Sequence, residues 1–284
     1  MIRRHRLHCA RRLVVRFTAM ALLVAPAFAA GPSAAAGLDW LAPPPHHHHN
    51  RTATTRVLPW PGGDRLEVAV AADVRYVQGA DARVVITGPA DQIDDIIVDG
   101  GVIRHAQSSW RWWDWSWKPS QAVAIVVTAP HISAVGVSGS GRLTLGRLVQ
   151  DHLDLHVSGS GSASASGAIK ALDLAVSGSG GVRLTQITAD AVTTRISGSG
   201  WVIASGSATT LHLALSGSGR ADLTSLALQD ADAGLSGSGS TVLAPRRSAE
   251  LSVSGSGSIR LLTRPPQLIT HRSGSGSIIQ STGS

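Results

Sequence analysis

Cysteine is almost absent from this chain of 284 residues, since Cys9 is the only one. Cys9 lies in an N-terminal leader, so the mature chain is expected to contain no disulfide, no thiol nucleophile and no thiolate metal site. Helical periodicity is missing between residues 56 and 130, where short alternating apolar stretches, Ile93 to Val98 among them, end at Gly, Asp or Pro. This pattern predicts strands rather than helices.

Acidic residues are absent before Asp39, whereas six arginines stand in the first sixteen residues. An apolar run from Phe17 to Phe28 follows them, with a small-x-small sequence at Ala27-Phe28-Ala29. We expect residues 1–30 to be a signal peptide for export to the periplasm, the cell surface or the medium, by the Sec or the twin-arginine route. The run is short for a membrane span and Pro26 interrupts it, so no integral span is expected after its removal.

The net charge of +7 belongs to this leader. Without its six arginines the chain has 19 basic and 18 acidic residues, so the mature protein is nearly neutral. Nucleic-acid binding requires a basic patch on the folded domain. The composition therefore predicts no nucleic acid as a partner.

Residues 31–55 lack apolar periodicity and contain Pro43-Pro44-Pro45 followed by four histidines, His46 to His49. We interpret them as a linker. Histidines without fixed geometry or second-shell partners make a poor metal site, so neither a metal nor another cofactor is expected. Residues 56–130 are expected to form a β-rich N-terminal part that caps or begins the array described next.

A Ser-Gly-Ser-Gly tetrad occurs eight times between residues 138 and 276. Neighbouring tetrads begin 18 to 20 residues apart, a regularity that a linker does not keep. Apolar residues stand one and three positions before most tetrads, as Val157 and Leu155 do before Ser158, and alternation resumes after the tetrad. This pattern predicts coils that each have a strand, a bend and a second strand. The glycines at the bends are Gly139, Gly141, Gly159, Gly161, Gly178, Gly180, Gly198, Gly200, Gly217, Gly219, Gly237, Gly239, Gly255, Gly257, Gly274 and Gly276.

The expected fold is therefore all-β: a single-chain right-handed parallel β-helix or solenoid of about eight coils, formed by residues 131–284, with the N-terminal β-rich cap. Glycine permits positive φ and a close approach between coils. The serine hydroxyls are expected to bond the adjoining backbone or the serine of the next coil, which would give a ladder along the solenoid.

The repeated Val-Ser-Gly-Ser-Gly with alternating leucines after it, the region Tyr76-Val77-Gln78-Gly79 and the stretch from Val123 to Pro130 resemble one bacterial family. This family is named putative auto-transporter adhesin, head GIN domain. The likeness extends from about Leu58 to Ser284. It implies an exported, β-helix-like protein of the cell envelope.

The densest cluster of aromatic and basic side chains lies between residues 110 and 118, which hold five of the eight tryptophans. On a strand these rings would occupy both faces, and a narrow solenoid cannot easily bury both. Rings beside basic side chains suit a sugar, a bilayer interface or a partner protein, whereas an aromatic plug at the end of the core is the alternative. The candidate binding residues are Trp110, Arg111, Trp112, Trp113, Trp115, Trp117 and Lys118.

The leading functional hypothesis is an exported, non-enzymatic envelope or surface protein that binds a glycan or a protein. No catalytic residue is assigned. Many β-helix enzymes that act on polysaccharides use clustered carboxylates and a cation on one face. Asp154 and Asp173 hold equivalent positions in successive coils and could form a carboxylate pair about 5 Å apart. At this outward position a solvated ladder is expected. Such an enzyme and a periplasmic structural scaffold are the two alternatives.

Overall fold

The computed structural model describes residues 53–106 and 123–281, and these residues form 18 strands and one short helix. The first elements are β1 (Thr54–Pro59), β2 (Arg65–Ala69), β3 (Asp73–Gln78), β4 (Arg83–Gly88), α1 (Ala90–Ile93), β5 (Ile96–Asp99), β6 (Val102–His105), β7 (Ala124–Ala129) and β8 (Ala134–Gly139). The later strands are β9 (Arg142–Gly159), β10 (Ser162–Gly178), β11 (Gly181–Gly198), β12 (Trp201–Gly217), β13 (Arg220–Gly237), β14 (Ser240–Leu243), β15 (Pro245–Gly255), β16 (Ser258–Leu261), β17 (Gln267–Ser273) and β18 (Ser277–Gln280).

The N-terminal strands continue into the repeats. β2 pairs in parallel with β8, and β3 pairs in parallel with β9, so these two strands belong to the first coil. β4 pairs antiparallel with β1 and β7, which extends the same sheet beyond that coil. The predicted strand from Ile93 to Val98 is wrong over its first part, because the amides of Gln92 and Ile93 bond the Pro89 carbonyl and close one helical turn.

The repeats stack in parallel and in register. Ser158, Ser177 and Ser197 are direct neighbours on successive strands, and each later tetrad continues the column. This arrangement confirms the predicted β-solenoid. The solenoid has about seven turns rather than eight, because only the four-residue strand β18 follows the last tetrad.

The two glycines of each tetrad serve different purposes. The first has positive φ in all eight tetrads, from 88° at Gly139 to 112° at Gly255, and residues with a Cβ rarely adopt this conformation. The second lies against the preceding coil. A Cβ on Gly200 would come 2.8 Å from the Gly180 carbonyl oxygen and 2.5 Å from the Val176 side chain. The tetrad is therefore a corner where the backbone turns and touches its neighbour.

Backbone amides connect the stacked corners. The carbonyl oxygen of Gly139 accepts hydrogen bonds from the amides of Ser160 at 2.9 Å and Gly161 at 2.7 Å, and a bond of this kind joins each later pair of tetrads. The expected ladder of serine hydroxyls is wrong. Among the tetrad serines of the described ranges, only Ser138 donates a side-chain hydrogen bond, to the Val68 carbonyl at 3.5 Å.

Each coil has a second corner between its two tetrads, and there a register shift compensates for the difference between 20-residue and 19-residue repeats. Between paired residues, β11 has Thr185 and Gln186 where β12 has only Ser205. Gln186 adopts a φ of 53°, and its amide donates to the Ser205 hydroxyl at 3.3 Å. Gly206 follows with a φ of 125°, and a Cβ there would collide with the backbone of Ile187. This β-bulge keeps repeats of unequal length in register.

Aliphatic side chains fill the interior. The residue before each of the first seven tetrads is a buried Val, Ile or Leu, which the sequence pattern predicts. Tyr76 is the largest fully buried side chain, and its hydroxyl donates to the Ala129 carbonyl at 2.8 Å. Burial raises the pKa of Tyr76 to about 12, so the ring remains a neutral donor. At the last coil Thr270 and Arg272 replace such apolar residues, and β17 is exposed throughout.

Replacing Gly198 by Ala is expected to lower the free energy of unfolding by about 2 kcal/mol or more. The reason is that Gly198 has a φ of 105°, and a Cβ would come 2.8 Å from the Gly178 carbonyl oxygen. Urea unfolding followed by circular dichroism measures the change. The matched control is Ser199→Ala, because Ser199 is exposed in the same tetrad. Equal unfolding midpoints for the two variants would contradict this account of the corner.

Candidate binding surface

The tryptophan-rich candidates, Trp110 to Lys118, lie outside the described residues. The described chain reaches Ala106 after β6 and starts again at Val123 before β7. Whether these rings form a contact surface or a core plug therefore stays a prediction. The surface that can be built from the structure lies on the solenoid itself.

Four exposed arginines lie within the first three residues of strands that follow the tetrad corners. Arg142 and Arg220 are the first residues of β9 and β13, whereas Arg183 and Arg260 are the third residues of β11 and β16. All four point away from the core, because the residues beside them along each strand are buried. We name this surface the arginine face. It comprises the outward residues at the first and third positions of β9 to β14 and β16, from Arg142 to Arg260.

The arginines of this face recur on every second strand, because β10, β12 and β14 separate them. Neighbouring strands lie about 4.8 Å apart, so arginine-bearing strands are about 10 Å apart. Two like charges at that distance in water repel by only about 0.4 kcal/mol. Of the four, Arg142 alone has a carboxylate within ion-pair distance in the described chain, that of Asp73 at 3.5 Å. The face therefore carries a regular, largely uncompensated positive charge.

Trp201 lies near the centre of the arginine face. Its indole lies over Gly181 of the neighbouring strand, since a Cβ on Gly181 would collide with the ring. The Arg183 guanidinium is 5.6 Å from the ring centroid, which is within cation–π range. Arg220 is the direct neighbour of Trp201 on the other side. The half-buried ring thus lies between two arginines.

The face before the tetrad corner carries the opposite charge. Four carboxylates share one stacked row on this face. In order the row holds Asp154, Asp173, Thr193, His212, Asp232 and Glu250. Arg195 stands in the adjacent row. The nearly neutral composition of residues 31–284 therefore conceals a separation of charge between two faces.

Asp154 and Asp173 are direct neighbours across two strands, as the repeat alignment predicts. His156 lies 3.2 Å from the Asp154 carboxylate, and His152 lies 3.9 Å from that of Asp173. The two aspartate side chains are 37% and 41% exposed. A catalytic carboxylic acid requires an apolar, desolvated setting that keeps it protonated. These two groups have the setting of a solvated ladder.

Asp230 lies on the same face, two residues before Asp232, and has the most extensive side-chain bonding of the carboxylates described there. It accepts hydrogen bonds from the Arg247 guanidinium and from the Ser248 hydroxyl at 2.6 Å. The bond from Arg247, with that from Ser248, lowers the pKa of Asp230 to about 2. Asp151 and Lys170 form a second pair, 2.7 Å apart, which lowers the pKa of the carboxyl and raises that of the amine.

Two of the grooves on this side cross successive coils of the repeats. One has a volume of about 280 Å³ and runs over β12, β13, β15 and β17 beside Asp230, Asp232 and Glu250. The other, of about 580 Å³, runs over β9, β10 and β11 beside Asp151 and Lys170. Within residues 53–106 and 123–281, no three His, Cys, Asp or Glu side chains are arranged to hold a metal.

Sequence reasoning missed the arginine face and Trp201. The alternation marks Arg142, Arg183 and Arg260 as outward residues, but it does not show that they stack on alternate strands. A signal was present in the repeat alignment, where an arginine stands at the first or third position after the first, third, fifth and seventh tetrads. Recognising it required the register of coils nearly twenty residues apart.

Comparison with known proteins identifies the family that has this architecture. The family model described as putative auto-transporter adhesin, head GIN domain, matches residues 64–265. The chain belongs to this family. No curated protein matches this GIN-domain chain.

Solved structures share the fold of this GIN-domain protein. A putative lipid binding protein from Parabacteroides distasonis has a TM-score of 0.73 at 19% identity, covering 82% of this chain and 98% of that one. A putative adhesin from Bacteroides fragilis has a TM-score of 0.57 at 19% identity, covering 81% and 98%. A putative adhesin from Parabacteroides merdae has a TM-score of 0.68 at 17% identity, covering 82% and 98%. At these identities the likeness shows the fold alone.

The described part of the GIN-domain chain contains no helix that is long and apolar enough to cross a membrane.

Replacing Asp230 by Asn is expected to destabilise the GIN-domain chain near neutral pH and to matter less in acid. The folded pKa of about 2 is below the ordinary value of 3.8, so folding favours the ionised form. This stabilisation is complete above the unfolded pKa and is lost as the pH falls through the folded value. Urea midpoints of both proteins between about pH 6 and pH 2 measure the effect.

The control for this titration is Asp99→Asn, since Asp99 is an exposed carboxylate at the end of β5. A gap between wild type and Asp230→Asn that stays constant down to pH 2 would contradict the assignment. So would an equal pH-dependent gap in the Asp99→Asn protein.

Proposed function

We propose that this chain is an exported, non-enzymatic binding protein of the cell envelope, which acts in adhesion by holding a glycan or a protein partner. The observation that carries this proposal is the set of long outward rows in the solenoid. Each row offers side chains at one fixed spacing over successive coils. Such a surface suits an extended partner better than a small molecule.

The family and its relatives support a binding role. The family name refers to adhesin heads, and two of the similar structures are named as adhesins, whereas one is named as a lipid binding protein. The signal sequence expected in residues 1–30 agrees with a place in the periplasm or at the cell surface.

The tryptophan-rich segment, Trp110 to Lys118, is the proposed main contact. Tryptophan and arginine are the side chains that most often dominate binding energy at interfaces. The segment leads into β7, whose Val126 stands in an outward row with Val85 and Val57. Val57 is 62% exposed, so apolar surface is present on this row beside β7.

Replacing Trp113, Trp115 and Trp117 together by Ala is expected to weaken binding to purified cell-wall glycan or host matrix protein at least about tenfold, because the apolar contact area is lost. The melting temperature is expected to stay unchanged. Co-sedimentation and thermal unfolding measure the two quantities. The matched variant replaces the same three residues by Phe, which keeps the ring faces and is expected to keep most of the binding.

Two results would contradict this proposal. A sharp fall in melting temperature with unchanged binding would show that the rings are a core plug. Release of new sugar ends from uronate polysaccharide or peptidoglycan by the purified chain would show an enzyme.

A further inference from the structure

We infer that the arginine face binds an extended anionic polysaccharide whose sugars carry carboxylates, as in a polyuronate. The residues of this surface are not those of the tryptophan-rich segment, so the inference goes beyond the proposed function. The binding chain runs along the solenoid axis, across the strands, and meets Arg142, Arg183, Arg220 and Arg260 in turn.

The charge of the face is available to a ligand. Arg183, Arg220 and Arg260 have no carboxylate within ion-pair distance among the described residues. Each guanidinium presents a planar fork that matches a carboxylate with two parallel hydrogen bonds. Asp222 is the one acidic residue of the two outward rows between Arg142 and Arg260 in the described chain. At Arg183, Arg220 and Arg260 a ligand carboxylate would therefore gain a partner without displacing an existing ion pair.

The spacing of the face fits a sugar polymer. One strand step of about 4.8 Å is close to the length of one residue in an extended 1,4-linked hexose chain. Arginines on every second strand then meet every second sugar. Arg142 and Arg220 stand in one outward row, and Arg183 and Arg260 in the row beside it. From β9 to β16 the two rows cover six strand steps, or about 29 Å, so the face engages several sugars at once.

Trp201 positions charge at the centre of the surface. The Arg183 guanidinium lies over the indole in a cation–π contact, and Arg220 stands on the other side of the ring, so two guanidinium groups flank the place where the carboxylates of neighbouring sugars would lie. Small hydroxyl residues, Ser162 and Ser240, occupy the arginine-free strands β10 and β14. They keep the face level and offer hydrogen bonds to sugar hydroxyls.

The position of Trp201 favours a polysaccharide over a membrane. The indole lies over Gly181 instead of projecting from the sheet, so it cannot insert into a bilayer as interfacial tryptophans do. A regular row of arginines also provides more positional order than a fluid layer of lipid headgroups requires.

The test is calorimetric titration of the full chain with an oligogalacturonate long enough to cover the row. Binding is expected to weaken as salt is added, because the charges become screened. The double variant Arg183→Ala/Arg220→Ala and the single variant Trp201→Ala are each expected to bind at least about tenfold more weakly. The matched control is Arg195→Ala/Arg246→Ala, which removes the same charge from exposed positions away from this face and is expected to bind as wild type.

Parallel titrations use a maltooligosaccharide of equal length, polyglutamate, single-stranded DNA and vesicles of phosphatidylglycerol. The inference is overturned if oligogalacturonate does not bind, if the control double variant loses as much affinity as Arg183→Ala/Arg220→Ala, or if polyglutamate, DNA or vesicles bind more tightly than the sugar. If the neutral maltooligosaccharide binds as tightly as oligogalacturonate, the proposed role of the arginines in binding sugar carboxylates is overturned. Unchanged melting temperatures in all variants ensure that the affinities report the surface and not the fold.

Discussion

The close contact of backbones at the tetrad corners is the constraint on which the rest of this structure depends. At each corner a glycine carbonyl accepts amide hydrogen bonds from the next coil, and a side chain on the second glycine would collide with the coil beside it. Glycine at both places thus allows coils to stack at strand spacing on the corner as well as on the flat faces. The register that follows is strict, because a shift of one residue would turn every buried side chain outward.

Because the coils stack in register, equivalent residues of successive repeats form continuous rows on the surface. Residues about nineteen positions apart become neighbours, so that arginines gather on one side of the corner and carboxylates on the other. The bulge at the second corner is necessary for this, since without it repeats of 20 and 19 residues would drift out of phase. The binding properties of the molecule therefore arise from the same contact that holds its coils together.

Much of the fold can be predicted from the sequence, because the tetrads and the apolar residues before them, such as Val157 and Leu155, are local signals. The short helix α1 was not predictable in this way, since it depends on the Pro89 carbonyl bonding two amides that an alternating pattern assigns to a strand. The arginine face could not be predicted for another reason, because the net charge of a chain does not show where its charged residues lie after folding. The place of Trp201 depends on Gly181 in the preceding coil, which only the stacked register reveals.

Distances between tetrads test the central claim most directly. Nitroxide labels on Ser158→Cys combined in turn with Ser236→Cys, Ser254→Cys and Ser273→Cys, in a Cys9→Ser background, can be measured by pulsed electron resonance. Stacking in register predicts backbone separations of about 19, 24 and 29 Å, an increase of about 4.8 Å for every coil. Broad distributions, or distances that do not rise by one strand spacing per coil, would contradict the account.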